Sequence, residues 1–438
     1  MDGSRGLEGF GEGAEPDTRG ACAPLSTAGA RAPPEMDFRL LTREMASWGL
    51  GAEGGGKNVK LKIPVHARVY IKVTSGLTRL RRERRFNRML VAESKAAGRG
   101  AANPPNINPN SSWKQLVEPV EPFLETVTQQ LMRQVHGFDP QIVPYARYAL
   151  DGSGKRLRPT LVALAARALG PLNEAHVTAA VIIEMVHLAT LAHDDVMDEA
   201  EIRRGQPTLA ASWGNEIAVL FGDCLFAQAV KLAAGFPTPE VCRAVAAATN
   251  TVCTGEILQT RSRQNFVASR REYFRVIEMK TAELFTLSCD LAAFLSAAPA
   301  RQRGALREFG AAFGTAYQVY DDCVDLFGSE TLAGKSLGTD LAKGKLTWPV
   351  LLAWEHAEAA DRARLEKLIE NWEPGNLSGV NELLVRYETL EPSLAVIGRY
   401  LESARQALRP LPESAGRAGL AGLADFLAQQ MDVLAVSM

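Results

Sequence analysis

The chain has 438 residues, a formal net charge of -1, and 46% hydrophobic, 7% aromatic and 23% charged residues. It is long enough for one large core or two domains, and its balanced charge excludes a global attraction to nucleic acid or an acidic polymer. No uninterrupted apolar run reaches the roughly 18 to 20 residues that span a bilayer, and Asp2, Glu8, Glu12, Glu15 and Asp17 argue against a signal or transit peptide.

Residues 1 to 56 are rich in Gly, Ala, Pro and Glu without periodicity, a composition that cannot bury enough apolar surface to fold alone. From Lys57 to Arg99 the balance turns basic, with Arg79, Arg81, Arg82, Arg84, Arg85 and Arg88 around Leu80, Phe86, Met89 and Leu90. That stretch is a candidate for peripheral contact with an anionic membrane or RNA. The competing reading is an unstructured leader, or a true start downstream, for example at Met89. The Pro- and Asn-rich segment 98–112 reads as a linker. Residues 1–111 are therefore expected to be a poorly ordered extension, and 112–438 the folded domain.

From Trp113, Leu116, Val120, Leu124, Val127 and Leu131 recur at helical spacing, and similar stripes continue to the end without sustained alternation. The fold class is all-α. The cysteines (Cys22, Cys224, Cys242, Cys253, Cys289 and Cys323) form no CxxC or Cys/His cluster, so they read as free, buried thiols in a reducing, cytoplasmic compartment.

Next comes DGSGKRLRP, where Gly152 and Gly154 allow a bend and Lys155, Arg156 and Arg158 can present cations to phosphate oxygens. Behind the apolar positions Ile182, Met185, Val186 and Ala189 follow Asp194, Asp195 and Asp198. Asp194 and Asp198 are one helical turn apart, so they repel unless a cation sits between them. Arg203, Arg204 and Gly205 come directly after.

Further on, Gly255, Glu256 and Gln259 read as structural, and Lys280 and Thr281 lie on a later helix. The acidic arrangement then recurs as Asp321, Asp322 and Asp325 behind Phe313, Tyr317 and Tyr320, followed by Lys335, Lys343 and Lys345. Two acidic faces opposed across a cavity suit magnesium, which takes one or two carboxylates plus substrate phosphates and keeps several waters. Gly334, Lys335 and Ser336 imitate the end of a P-loop, but five residues rather than four separate Gly328 from Gly334 and no strand precedes them.

In this order GKRLRP, HDDVMD with RRG, GEILQ, KTAELF, YQVYDDCVD and GKSLGTDLAKGKLTWP resemble the trans-isoprenyl diphosphate synthases, or polyprenyl synthetases, over roughly residues 112 to 425. The resemblance implies an isoprenoid synthase fold, an antiparallel helical bundle around a central apolar cavity, and a family-like homodimer. It implies that Asp194, Asp195, Asp198, Asp321, Asp322 and Asp325 hold three magnesium ions around an allylic diphosphate, which Arg203, Lys280, Lys335 and Lys345 also touch. Lys155, Arg158, His187 and Arg204 would bind isopentenyl diphosphate, and Thr281 and Gln318 would flank the allylic cation. His193 reads as a satisfied core residue.

Family logic puts the product-length floor just before the first acidic motif. Ala189 and Thr190 are small there, and Val186 and Met185 lie about 5 Å deeper by helical pitch, which favours a product of about thirty carbons or more, as in quinone side chains. The alternatives are a short-chain farnesyl or geranylgeranyl diphosphate synthase, a regulatory subunit of a heteromeric synthase, and a class I terpene cyclase. Two departures stand out: Ser153 where relatives have glycine, and Phe426 to Gln430 without the family's terminal basic residues.

Overall fold

The computed structural model describes residues 109–150, 154–267, 269–329 and 336–436. The sequence expectations for the extension up to residue 108, its basic stretch, Cys22, Gly152, Ser153 and Lys335 fall outside these residues.

The first helices are α1 (Pro109–Val117), α2 (Glu121–Gln134), α3 (Val143–Leu150) and α4 (Leu157–Arg167). α1 begins inside the expected linker. Pro109 opens it without penalty, because an N–H at that position would have no intrahelical partner. α5 (Glu174–Met197) carries the first acidic motif. Its start is fixed by a capping box: Asn173 Oδ1 accepts from the His176 N–H at 3.2 Å, and His176 Nδ1 accepts from the Asn173 N–H at 3.2 Å.

A hairpin of β1 (Ile202–Arg203) and β2 (Gln206–Pro207) follows. The chain continues through α6 (Leu209–Trp213), α7 (Asn215–Ala234), α8 (Pro239–Arg261) and α9 (Arg270–Ile277). A π-helical turn, Glu278–Ala282, leads into α10 (Glu283–Leu295), and α11 (Ala300–Phe327) carries the second acidic motif. The remainder is α12 (Thr339–Ala342), α13 (Trp348–His356), α14 (Ala359–Glu370), α15 (Asn376–Arg386), α16 (Leu390–Ala407) and α17 (Ala415–Val436).

α5 packs on α7, α10 on α11, and α11 on α16. Short connections such as 296–299 make neighbouring helices antiparallel. Fully buried Phe285, Phe309, Ile182, Ile183 and Met185 lie in one apolar core. The stacked Phe309 and Phe313 rings, 5.7 Å apart, belong to it too.

α5 and α7 reach membrane-spanning length and average apolarity, although polar residues interrupt their apolar runs, as the sequence itself shows, and α5 is a largely buried core helix. One expectation, that of buried cysteines, needs correction. Of the described cysteines, Cys289 and Cys323 are buried, Cys224 and Cys242 half-buried, and Cys253 exposed. Cys253 lies on α8, whose outer face also leaves Ile257 61% exposed.

Candidate active site

Both acidic helices open onto one cavity of about 940 Å³. Asp194 of α5 and Asp198 at its C-terminal cap line it from one side, Asp321 and Asp322 of α11 from another, and Asp340 of α12 joins them. Leu191, Leu258, Val276, Ile277, Leu284 and Leu351 supply apolar wall.

Each acid of the first motif has a cationic neighbour. Asp194 lies 3.7 Å from Lys280 Nζ. Asp195 Oδ1 accepts from Arg203 Nε at 2.7 Å. Asp198 accepts from Lys345 Nζ on one oxygen at 2.6 Å and from Arg263 Nη2 on the other at 3.1 Å. Burial pushes the Asp194 carboxyl up to about 6. Burial acts the same way on Asp198, but Lys345, Lys280 and Arg263 together outweigh it and hold that carboxyl below its ordinary range.

The second motif is arranged differently. Asp322 accepts from Tyr273 Oη at 2.5 Å and from Gln318 Nε2 at 2.8 Å. Burial and then the neighbouring Asp340 push it up to about 8 despite those hydrogen bonds. The Thr281 hydroxyl donates to Gln318 Oε1 at 2.7 Å, so Thr281, Gln318, Asp322 and Tyr273 form one chain of hydrogen bonds.

Asp325 departs from the expected ligand role. It is fully buried and does not line the cavity. One oxygen accepts from Thr339 Oγ1 at 2.8 Å and the other from the Asp340 N–H at 3.1 Å, which fixes the start of α12. Asp195 is also buried outside the cavity lining, hydrogen-bonded to Arg203, which does line it.

Lys280 and Thr281 sit on the π-helical turn, a distortion common at functional sites. Its close approach to α8 depends on Gly255: a Cβ there would come within 2.8 Å of the Lys280 backbone nitrogen. From the same helix Gln259 Oε1 accepts from Lys280 Nζ at 2.9 Å, and Glu256 forms an ion pair with it. The stretch read as structural therefore holds the lysine in place. Attraction to Asp194 and Glu256 outweighs burial, so Lys280 stays charged.

Arg203 and Arg204 reach the cavity from the β1–β2 hairpin, and Gly154 lies directly against the Arg204 guanidinium. Arg158 and His187 line the same side. Burial, followed by Arg158, Arg204 and Arg203, drives the His187 pKa well below normal, leaving a neutral imidazole. Arg158 lies 4.9 Å from the Phe285 ring, and its buried Nε has no hydrogen-bond partner.

Lys155 is exposed, does not line the cavity, and sits 5.9 Å from the Phe426 ring. Lys343 and Lys345 line it. His193 is half-buried and shares a 2.9 Å hydrogen bond with the Val219 carbonyl.

Of the expected length gate, only Thr190 lines the cavity. Ala189, Met185 and Val186 are wholly buried; Ala189 and Met185 fall on another face of α5, whereas Val186 lies one turn before Thr190 on nearly the same row. Cavity-facing positions follow the helical repeat through His187, Thr190, Leu191, Asp194 and Asp198, and Ala189 falls outside that stripe.

The donor set fits magnesium: hard carboxylate oxygens from two helices, with cations nearby for phosphate. Among the described residues no three His, Cys, Asp or Glu side chains form a ready metal cage. An ion that keeps its waters and bridges to a diphosphate does not require one.

A polyprenyl synthetase family model matches residues 139–384. The chain is 34% identical over 307 residues to an octaprenyl diphosphate synthase of Haemophilus influenzae, covering 69% of this chain and 93% of that protein. It is likewise 34% identical over 314 residues to heptaprenyl diphosphate synthase component 2 of Bacillus subtilis, covering 70% and 88%. A crystal structure of a Caulobacter crescentus polyprenyl synthase complexed with calcium and isoprenyl diphosphate superposes with a TM-score of 0.68 at 31% identity, over 72% of this chain and 97% of that one. Six motifs in order, an all-α bundle and two acidic helices on one cavity agree with these likenesses, and the chain belongs to the polyprenyl synthetase family of prenyltransferases.

Proposed function

We propose that this chain condenses isopentenyl diphosphate with an allylic diphosphate, head to tail and with trans geometry, to make a long-chain polyprenyl diphosphate for quinone side chains. The observation that carries this reading is the convergence of Asp194, Asp198, Asp321 and Asp322 on one cavity that also receives Arg203, Lys280 and Lys345.

Asp194, Asp198, Asp321 and Asp322 would hold magnesium, in a cluster of three ions; when bound, the ions neutralise the diphosphate and make it a better leaving group. Arg203, Lys280 and Lys345 add fixed positive charge where the leaving group gains negative charge. Thr281 donates its hydroxyl hydrogen bond to Gln318 Oε1, which leaves oxygen lone pairs on Thr281 to face the allylic cation. Arg158, neutral His187 and Arg204 form the second anion site, with Lys155 and the undescribed Lys335 at the margins. The apolar wall shields the cation from water and takes the growing tail.

We read the working form as a cytoplasmic homodimer. Val219, Leu220 and Val230 on α7 are 38%, 61% and 45% exposed and offer an apolar face for it. A second reading, the catalytic component of a two-protein synthase, follows from the likeness to the Bacillus component 2.

The lone purified chain, given Mg²⁺, labelled isopentenyl diphosphate and farnesyl diphosphate, should yield products of about thirty carbons or more by mass spectrometry. Activity only after adding a second protein would favour the two-component reading. Turnover without isopentenyl diphosphate would point to a cyclase.

A further inference from the structure

Arg263 has no counterpart among the residues singled out from the sequence, yet it occupies one of the two Asp198 oxygens. It belongs to the turn after α8, and Lys345, on the other oxygen, belongs to the turn after α12. The two turns are tied by one backbone hydrogen bond, from the Gln264 N–H to the Gly344 carbonyl at 2.7 Å. Both residues of that tie have left-handed backbone, φ +56° at Gln264 and +68° at Gly344. The cations flank the tie, each one residue from it, and meet across the same carboxylate.

Their surroundings differ. Lys345 lines the cavity, whereas Arg263 reaches Asp198 from outside its lining. The Arg263 side chain is only 26% exposed, and its buried Nε has no hydrogen-bond partner. Lys345 can therefore turn to a diphosphate in the cavity, but Arg263 is placed to stay with Asp198.

We propose that Arg263 is a positioning residue that keeps one oxygen of Asp198 charge-paired, so that the first acidic motif binds a divalent ion well only when diphosphate arrives with it. This rests on the functional reading above. A guanidinium on the carboxylate competes with a metal ion by simple Coulomb repulsion. A diphosphate draws Lys345 away and supplies the ligands that Asp198 alone cannot, so metal and diphosphate are taken up together. The device would limit occupation of the acidic cluster by metal without substrate.

The test is Mn²⁺ binding followed by electron paramagnetic resonance, with and without inorganic pyrophosphate, in the wild type, R263Q and R263K. Wild type should bind Mn²⁺ weakly alone and far more tightly with pyrophosphate. R263Q should bind Mn²⁺ alone more tightly, by up to about fivefold, the scale of one partly exposed ion pair, with the synergy reduced to match. R263K should stay close to wild type. If R263Q does not fold, R263M fills the stem's volume without the charge and carries the same expectation. Wild-type synergy with unchanged or weaker Mn²⁺ binding in the uncharged variant overturns the role of Arg263 alone. A wild-type chain that binds no Mn²⁺ even with pyrophosphate removes the functional reading, and this inference with it.

Discussion

Replacing Tyr273 with Phe isolates one oxygen atom in the second acidic motif. The ring is 8% exposed and packs 5.1 Å from Phe274 and 5.6 Å from Trp348, so phenylalanine keeps the packing and removes only the hydroxyl. That hydroxyl donates to Asp322 at 2.5 Å. A hydrogen bond to a charged group contributes about 1.5–3 kcal/mol. At 1.36 kcal/mol per unit this is about one to two pKa units on the carboxylate.

Burial already lifts Asp322 to about 8, and the tyrosine holds it down from going higher. The carboxylate form is the one a metal ion needs, so activity should fall as pH drops through the Asp322 titration. In Y273F that loss should begin at higher pH, moving the acidic limb of kcat/KM upward by about one unit at fixed Mg²⁺. Raising Mg²⁺ should pull both limbs back down, since metal and proton compete for the same oxygens. A Y273F profile that overlays the wild type, with only a lower Tm, would refute this use of the tyrosine.

Thr190→Phe should shorten the product, because Thr190 faces the cavity, whereas Ala189→Phe should chiefly destabilise the fold by about 1–3 kcal/mol through overpacking. Product analysis with thermal melting separates the two, and an unchanged product from T190F would displace the floor elsewhere. Gly255→Ala should push the π-helical turn off α8 and cut kcat more than it raises KM, measured under steady-state conditions, because the added carbon would lie 2.8 Å from the Lys280 nitrogen. Asp325→Ala should lower the unfolding free energy by about 1–2 kcal/mol, as the loss of a buried cap does. Mn²⁺ affinity with pyrophosphate should hold within about twofold; a tenfold loss would restore Asp325 to the ligand set.

The all-α fold was legible because apolar residues at helical spacing recur from Trp113 onward and nothing alternates. The acidic positions were legible because repelling carboxylates one turn apart, twice, ask for a shared cation. What escaped was set by helix rotation and by loops. Ala189 adjoins Thr190 in sequence, yet a 100° step turns its side chain into the core. Asp325 follows the spacing of a ligand, but the turn before α12 folds back and uses it as a cap. Tyr273 and Arg263 carry no motif; they touch Asp322 and Asp198 only because α9 and the turn after α8 pass beside the acidic helices.

The most direct measurement is a crystal structure with Mn²⁺ and an unreactive thio-analogue of the allylic diphosphate, with the metals located by anomalous scattering. Asp194 on α5 or Asp198 at its cap, and Asp321 or Asp322 on α11, should ligate ions that bridge to the same diphosphate, with the tail along the wall formed by Leu191 and Leu284. Metal peaks at one acidic helix alone, or a diphosphate bound outside the space between them, would contradict the account.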